Sequence, residues 1–111
     1  MIVVVFQVTM RAGQAPRYFD LAAELRPELE TIDGFLSVER FESVATPGKY
    51  VSLSFWRDED AVRRWREQDH HRIVQSLGRR EIFADFRISV AEVIRDYTLA
   101  ERASPIVQAS G

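Results

Sequence analysis

Most of the side chains able to do chemistry lie in one stretch, Tyr50 to Gly78, which holds both tryptophans and both histidines of the 111 residues. His70 and His71 are adjacent, so on a helix they diverge by about 100° and cannot share one metal ion as residues i and i+4 do. No third ligand is spaced to help them, and the absence of cysteine removes thiolate ligands, disulfides and a cysteine nucleophile together. We expect no metal. An imidazole with an ordinary pKa of about 6.5 could instead take a proton from a phenolic O–H. His71 is the better placed of the two, because Gln75 follows four residues on and shares its helix face. The plainer alternative for each histidine is a ring facing solvent or bonded to backbone at a helix start.

The other candidates are aromatic or cationic. Trp65 follows Ala61 and Val62 by four and three residues, which puts it on the buried stripe of its helix. Packing is its default role, and lining a cavity the alternative. Trp56 ends a strand on the side opposite Leu53 and Phe55, where it would belong to a pocket wall or an interface. Phe83 and Arg87 share a strand phase with Asp85, out of step with Phe86 and Ile88. An ion pair of Arg87 with Asp85 or Glu39 is the simple reading, and an anion anchor the sharper one. No Ser-His-Asp arrangement, glycine-rich phosphate loop, nucleotide fingerprint or recognisable carboxylate pair is present.

These residues must be held by a framework, and its elements are readable. Ile2 to Thr9 is a strand apolar on both sides, hence central and covered on each face. Phe19, Ala22, Leu25, Leu29 and Ile32 recur at helical spacing after Pro16, with a kink or break expected near Arg26 because of Pro27. Phe35 to Ser43 reads as an edge strand carrying Glu39, Arg40 and Glu42, with Phe35 and Phe41 on one side and Leu36 and Val38 on the other. A Thr-Pro-Gly turn at 46–48 leads into the strand Tyr50 to Trp56. Asp58 should cap a helix ending near Glu67, and a second helix should run from Asp69 to a left-handed Gly78. Ile82 to Tyr97 is a long last strand with a bulge expected near Val90 and Ala91.

The order strand, helix, strand, strand, helices, strand predicts an α+β, ferredoxin-like fold: a four-stranded antiparallel sheet with helices on one face. The second apolar face then needs a cover that the chain does not supply. A second copy is the simplest, giving a homodimer in which two sheets close a dimeric α+β barrel. We place one domain over 1–97 and a tail over 98–111 that could dock on the partner.

Composition narrows the partners. A hydrophobic share of 46% with 29% charged residues is that of a globular chain, and a formal charge of -2 offers no field for a phosphate backbone, so nucleic acid is not expected. The apolar start MIVVVFQV lacks the features of a signal peptide, and no apolar run approaches the roughly 20 residues that span a bilayer. The expectation is a soluble chain without a membrane role, compatible with the cytoplasm.

The series SFW, DEDAVRRW, HHRIVQ, GRR and FADFRISVAEVIRDY resembles the antibiotic biosynthesis monooxygenase family of small dimeric α+β barrels, over nearly the whole chain from Met1 to about Tyr97. The resemblance implies oxygen insertion into an electron-rich aromatic or quinol-like substrate by O2, without flavin, haem or metal. Trp56 matches the tryptophan ending the third strand in polyketide-oxidising members, whose nearby asparagine and tyrosine are here Ser52 and Val62. Haem-degrading relatives share the barrel. Trp65 matches their pocket tryptophan, Gln75 stands where they carry the iron-binding histidine, and Gln7 replaces their first-strand asparagine. The expected site is thus His71 as base, with Trp56, Trp65, Gln75, Arg87, Phe83 and Gln7 on the substrate. A haem-binding or haem-degrading protein and a non-catalytic dimeric binding protein are the alternatives.

Overall fold

The computed structural model describes residues 1–102. Four strands, β1 (Ile2–Met10), β2 (Phe35–Glu42), β3 (Lys49–Trp56) and β4 (Phe83–Glu92), form one antiparallel sheet in the order β2-β3-β1-β4. Helices α1 (Ala15–Glu30), α2 (Glu59–Arg66) and α3 (Asp69–Leu77) follow β1 and β3, and a short helix α4 (Leu99–Arg102) comes after β4. This is the ferredoxin-like α+β arrangement, with Val-rich β1 in the centre and the charged β2 at an edge. Docking of the 98–111 tail lies, from residue 103 on, outside the described residues.

Period-two alternation assigns the sheet faces. Val4, Phe6 and Val8 of β1 stand beside Ser54, Ser52 and Tyr50 of β3, and beside Val90, Ile88 and Phe86 of β4. This inner face meets the helices. Two apolar clusters form there: Ile2, Leu29, Trp56, Ala61 and Val62 at one end, and Val8, Met10, Tyr18 and Ile82 at the other. Asp58 caps α2 as its acidic side chain requires, accepting from the Ala61 N–H at 2.9 Å.

Four local expectations are corrected. Helix α1 runs unbroken past Pro27. The carbonyl that loses its donor belongs to Ala23, which is exposed, so water can take that bond. Leu36 is an extra residue between Phe35, opposite Trp56, and Ser37, opposite Phe55. Phe35 therefore turns inward to pack on Trp56 while Leu36 is exposed. In β4 the register is regular through Val90 and Ala91 and shifts instead between Asp85 and Phe83. Gly78 is right-handed (φ -57°) because the chain continues into a π-helical turn, Gly78–Ile82, rather than stopping. Glycine is needed there for space: a Cβ would stand 2.7 Å from the Phe83 ring.

Candidate active site

A cavity of about 260 Å³ lies between the inner sheet face and helices α1, α2 and α3. Its volume falls just below the usual range for small-molecule pockets, about 300–1,000 Å³, and suits a compact ligand of one or two rings. Leu21, Ala22, Leu25 and Leu29 of α1 form an apolar roof, and Val4, Phe6, Ile88 and Val90 an apolar floor.

At one end four rings adjoin in series. Trp56, 1% exposed, packs edge-on against Phe35 at 5.3 Å and lies 6.5 Å from Trp65, whose ring is 4.3 Å from that of His71. The Trp56 N–H is already committed, donating to Ser54 Oγ at 2.9 Å. His71 is 9% exposed, and its Nδ1 is buried with no partner among the described residues. Burial disfavours the imidazolium and pushes the pKa of His71 down to about 4. The ring is therefore neutral near pH 7, and a free base rather than the half-titrated group expected from an ordinary histidine. Gln75 also lines the cavity, one helical turn beyond His71.

Trp56, Trp65, His71, Gln75 and Phe83 all border this space, whereas Gln7 and Arg87 do not. The last two are cross-strand partners, and their shared register position puts both on the outer sheet face. Phe83 reaches the inner side because the β4 register shift separates it from the phase of Asp85 and Arg87. It packs on Phe6 at 5.6 Å and Tyr18 at 5.8 Å.

Several cavity residues were not singled out from the sequence. Arg40 comes from edge strand β2, opposite Ser52 of β3, and Tyr18 from the first turns of α1. The signal for Arg40 was its phase, two residues from inward-facing Val38. Arg66, at the end of α2, also borders the cavity but is itself exposed. Among the described residues no three His, Cys, Asp or Glu side chains gather as a metal site would require.

The family model described as antibiotic biosynthesis monooxygenase matches residues 1–76. The chain belongs to the antibiotic biosynthesis monooxygenase family. A protein of Pyricularia oryzae named jasmonate monooxygenase is 40% identical over 93 residues, covering 84% of this chain and 43% of its own length. The uncharacterised YqjZ of Bacillus subtilis is 28% identical over 71 residues, 64% of this chain and 60% of its own. The chain thus spans about half the length of the curated relatives it matches. Among solved structures, the cofactor-independent oxygenase SnoaB of Streptomyces nogalater superposes with a TM-score of 0.74 at 17% identity, covering 86% of this chain and 94% of the other. Rv0793 of Mycobacterium tuberculosis gives 0.77 at 15%, covering 87% and 98%. At such identities these neighbours establish the antibiotic biosynthesis monooxygenase fold and not a shared substrate. No helix among the described residues is long and apolar enough to cross a membrane.

Proposed function

We propose that this chain is a monooxygenase that oxidises a small phenolic, aromatic or quinol-like substrate in the cavity, takes both electrons from that substrate, and works as a homodimer. The observation that carries the reading is the His71 ring on the wall of a mostly apolar cavity, with its Nδ1 buried and without a partner among the described residues. Leaving such an atom unpaired costs about 1–3 kcal/mol, which a ligand O–H would recover once the ring turns Nδ1 toward the cavity. Members of this family are generally dimeric.

The chemistry balances without a resident cofactor when the substrate has two electrons and two protons to give: SH2 + O2 gives SO + H2O. One oxygen atom enters the carbon skeleton, and the other leaves as water. A substrate O–H or acidic C–H donates to His71, and the anion that forms passes an electron to O2. With its pKa held down to about 4, His71 accepts the proton only as the negative charge grows beside it, and their attraction is strong in this dry setting. Trp56 cannot supply its N–H, since Ser54 holds it. At this end of the cavity the Gln75 amide, and further along the Ser52 hydroxyl, are donors available to the developing oxyanion.

Haem fits less well. Gln75 offers an amide where a histidine would be needed, the His71 ring is packed against Trp65, and 260 Å³ is small for a macrocycle. The test is oxygen uptake with anthrone and 1,4-naphthohydroquinone, in the presence of a chelator and in the presence of hemin. Uptake above the autoxidation rate that survives chelation, and falls about 10²-fold or more in His71→Phe, is expected. No enzyme-dependent uptake with either of them sinks the reading, and a shifted Soret band moves it to haem.

A further inference from the structure

Beyond the rings at its other end, the cavity contains a cation whose presence the proposed oxidation does not explain. Arg40 is half-buried on the inner face of β2, with its Nε donating to the Tyr18 hydroxyl at 3.4 Å and its guanidinium 5.8 Å from the Tyr18 ring centroid. It takes part in none of the ion pairs among the described residues, and of the two arginines that line the cavity, Arg40 and Arg66, it is the less exposed. Glu42, the next carboxylate along the same face of β2, is turned to the Gly48 N–H and the Tyr50 hydroxyl. A guanidinium presents five N–H donors in a fixed fork, and only one of them is used on Tyr18. A cation drawn out of water without a counter-charge is poorly solvated, and a carboxylate is the partner its fork matches best.

We propose that the ligand of this cavity is an organic acid, with Arg40 holding its carboxylate and the apolar remainder lying toward Trp56, Trp65 and His71. The idea deepens the reading above by naming the substrate class, and rests on it only for what happens to the ligand after binding. Spacing agrees. Ser52, opposite Arg40, precedes Trp56 by four residues on β3, which is about 13 Å of strand, room for a one- or two-ring acid lying lengthwise. Arg40 is favoured over Arg66 because it stands on a strand and is braced by Tyr18, while Arg66 is exposed at a helix end.

The test compares two near-isosteric probes, anionic 2-naphthoate and neutral 2-naphthamide, binding to the full chain as read by quenching of the tryptophan fluorescence. The acid should bind about tenfold or more tightly than the amide at pH 7. Arg40→Gln should bring the acid down to the level of the amide, Arg40→Lys should keep part of the preference, and Arg66→Gln should keep nearly all of it. Equal binding of the two probes to the wild type overturns the proposal, as does a preference that survives Arg40→Gln or vanishes in Arg66→Gln. Circular dichroism confirms that each variant is folded before it is scored. Because the readout is binding, a preference for the acid with no oxygen uptake would leave this assignment standing and remove only the oxidation.

Discussion

On its inner face the sheet carries Trp56, closed to solvent beneath three helices, and yet a hollow remains beside it. On its outer face Val3, Val5, Val51, Leu53 and Phe55 remain partly open, on the side away from α1, α2 and α3. The same strands supply both surfaces, so composition does not separate them. What differs is the shape of the cover. Large rings that cannot collapse, Trp56 braced edge-on by Phe35 and Trp65 against His71, keep the inner layer from filling in. The outer face has no comparable obstruction and is suited to meeting another flat surface. A hollow on one side and a partly apolar face on the other are the contrast on which the proposed division into chemistry and assembly rests.

The largest effect should come from removing the ring that anchors the hollow. Trp56→Ala deletes a side chain that is 1% exposed and should cost about 3–5 kcal/mol, read from the urea midpoint at constant m-value. A loss under about 1 kcal/mol would show that the inner face is not held open by this ring, and the contrast between the faces would fail.

A smaller effect sharpens the same contrast through pH. The His71 pKa is about 4 in the folded chain against about 6.5 when unfolded, so the unfolded chain binds the extra proton first. The stabilisation from keeping the ring neutral is complete above pH 6.5 and is lost as pH falls toward 4, by up to roughly 3 kcal/mol. Asp33 and Asp58, held below the usual carboxylate range by Arg57 and by the Ala61 N–H respectively, lose their contribution only at still lower pH. His71→Phe should flatten the slope between pH 6.5 and 4, and an unchanged slope would place the titrating group elsewhere.

Why some of this was legible and some was not follows from what each feature depends on. Strand order and the choice of faces rest on alternation, which the sequence displays: Trp56 was read onto the side opposite Leu53 and Phe55 and lies there, with Tyr50, Ser52 and Ser54. Alternation fails wherever one residue is inserted. The extra residue at Leu36 brought Phe35 inward, and the shift above Asp85 carried Phe83 across while leaving Arg87 outside, where a continuous strand would have kept the two together. Gln7 was misplaced for a different reason. It was carried over by resemblance, although its own phase with Val3 and Val5 already assigned it to the outer face. Arg40 was read as an edge charge because charges do protect edges. That it also reaches a cavity depends on α1 bringing Tyr18 over it, a contact between residues 22 apart in sequence that no local pattern encodes.

The smallest effect on the single chain should come from the outer face, and there it is diagnostic. Leu53 is partly open in one chain, so Leu53→Glu should change its own folding stability by only about 0.5 kcal/mol. The same carboxylate, set between Val5 and Glu39 on the outer face, would face burial beside a like charge if two copies meet there, at a cost that should weaken such an interface severely. Light scattering at micromolar concentration should therefore give two chains for the wild type and one for Leu53→Glu. A two-chain mass in the variant would move the interface away from this face, and a one-chain mass in the wild type would remove the dimer. If the residues that line the cavity within one chain suffice for binding, the monomeric variant should still prefer 2-naphthoate to its amide. Should that preference vanish along with the dimer, the second copy must shape the site, and the division of labour between the two faces would not hold.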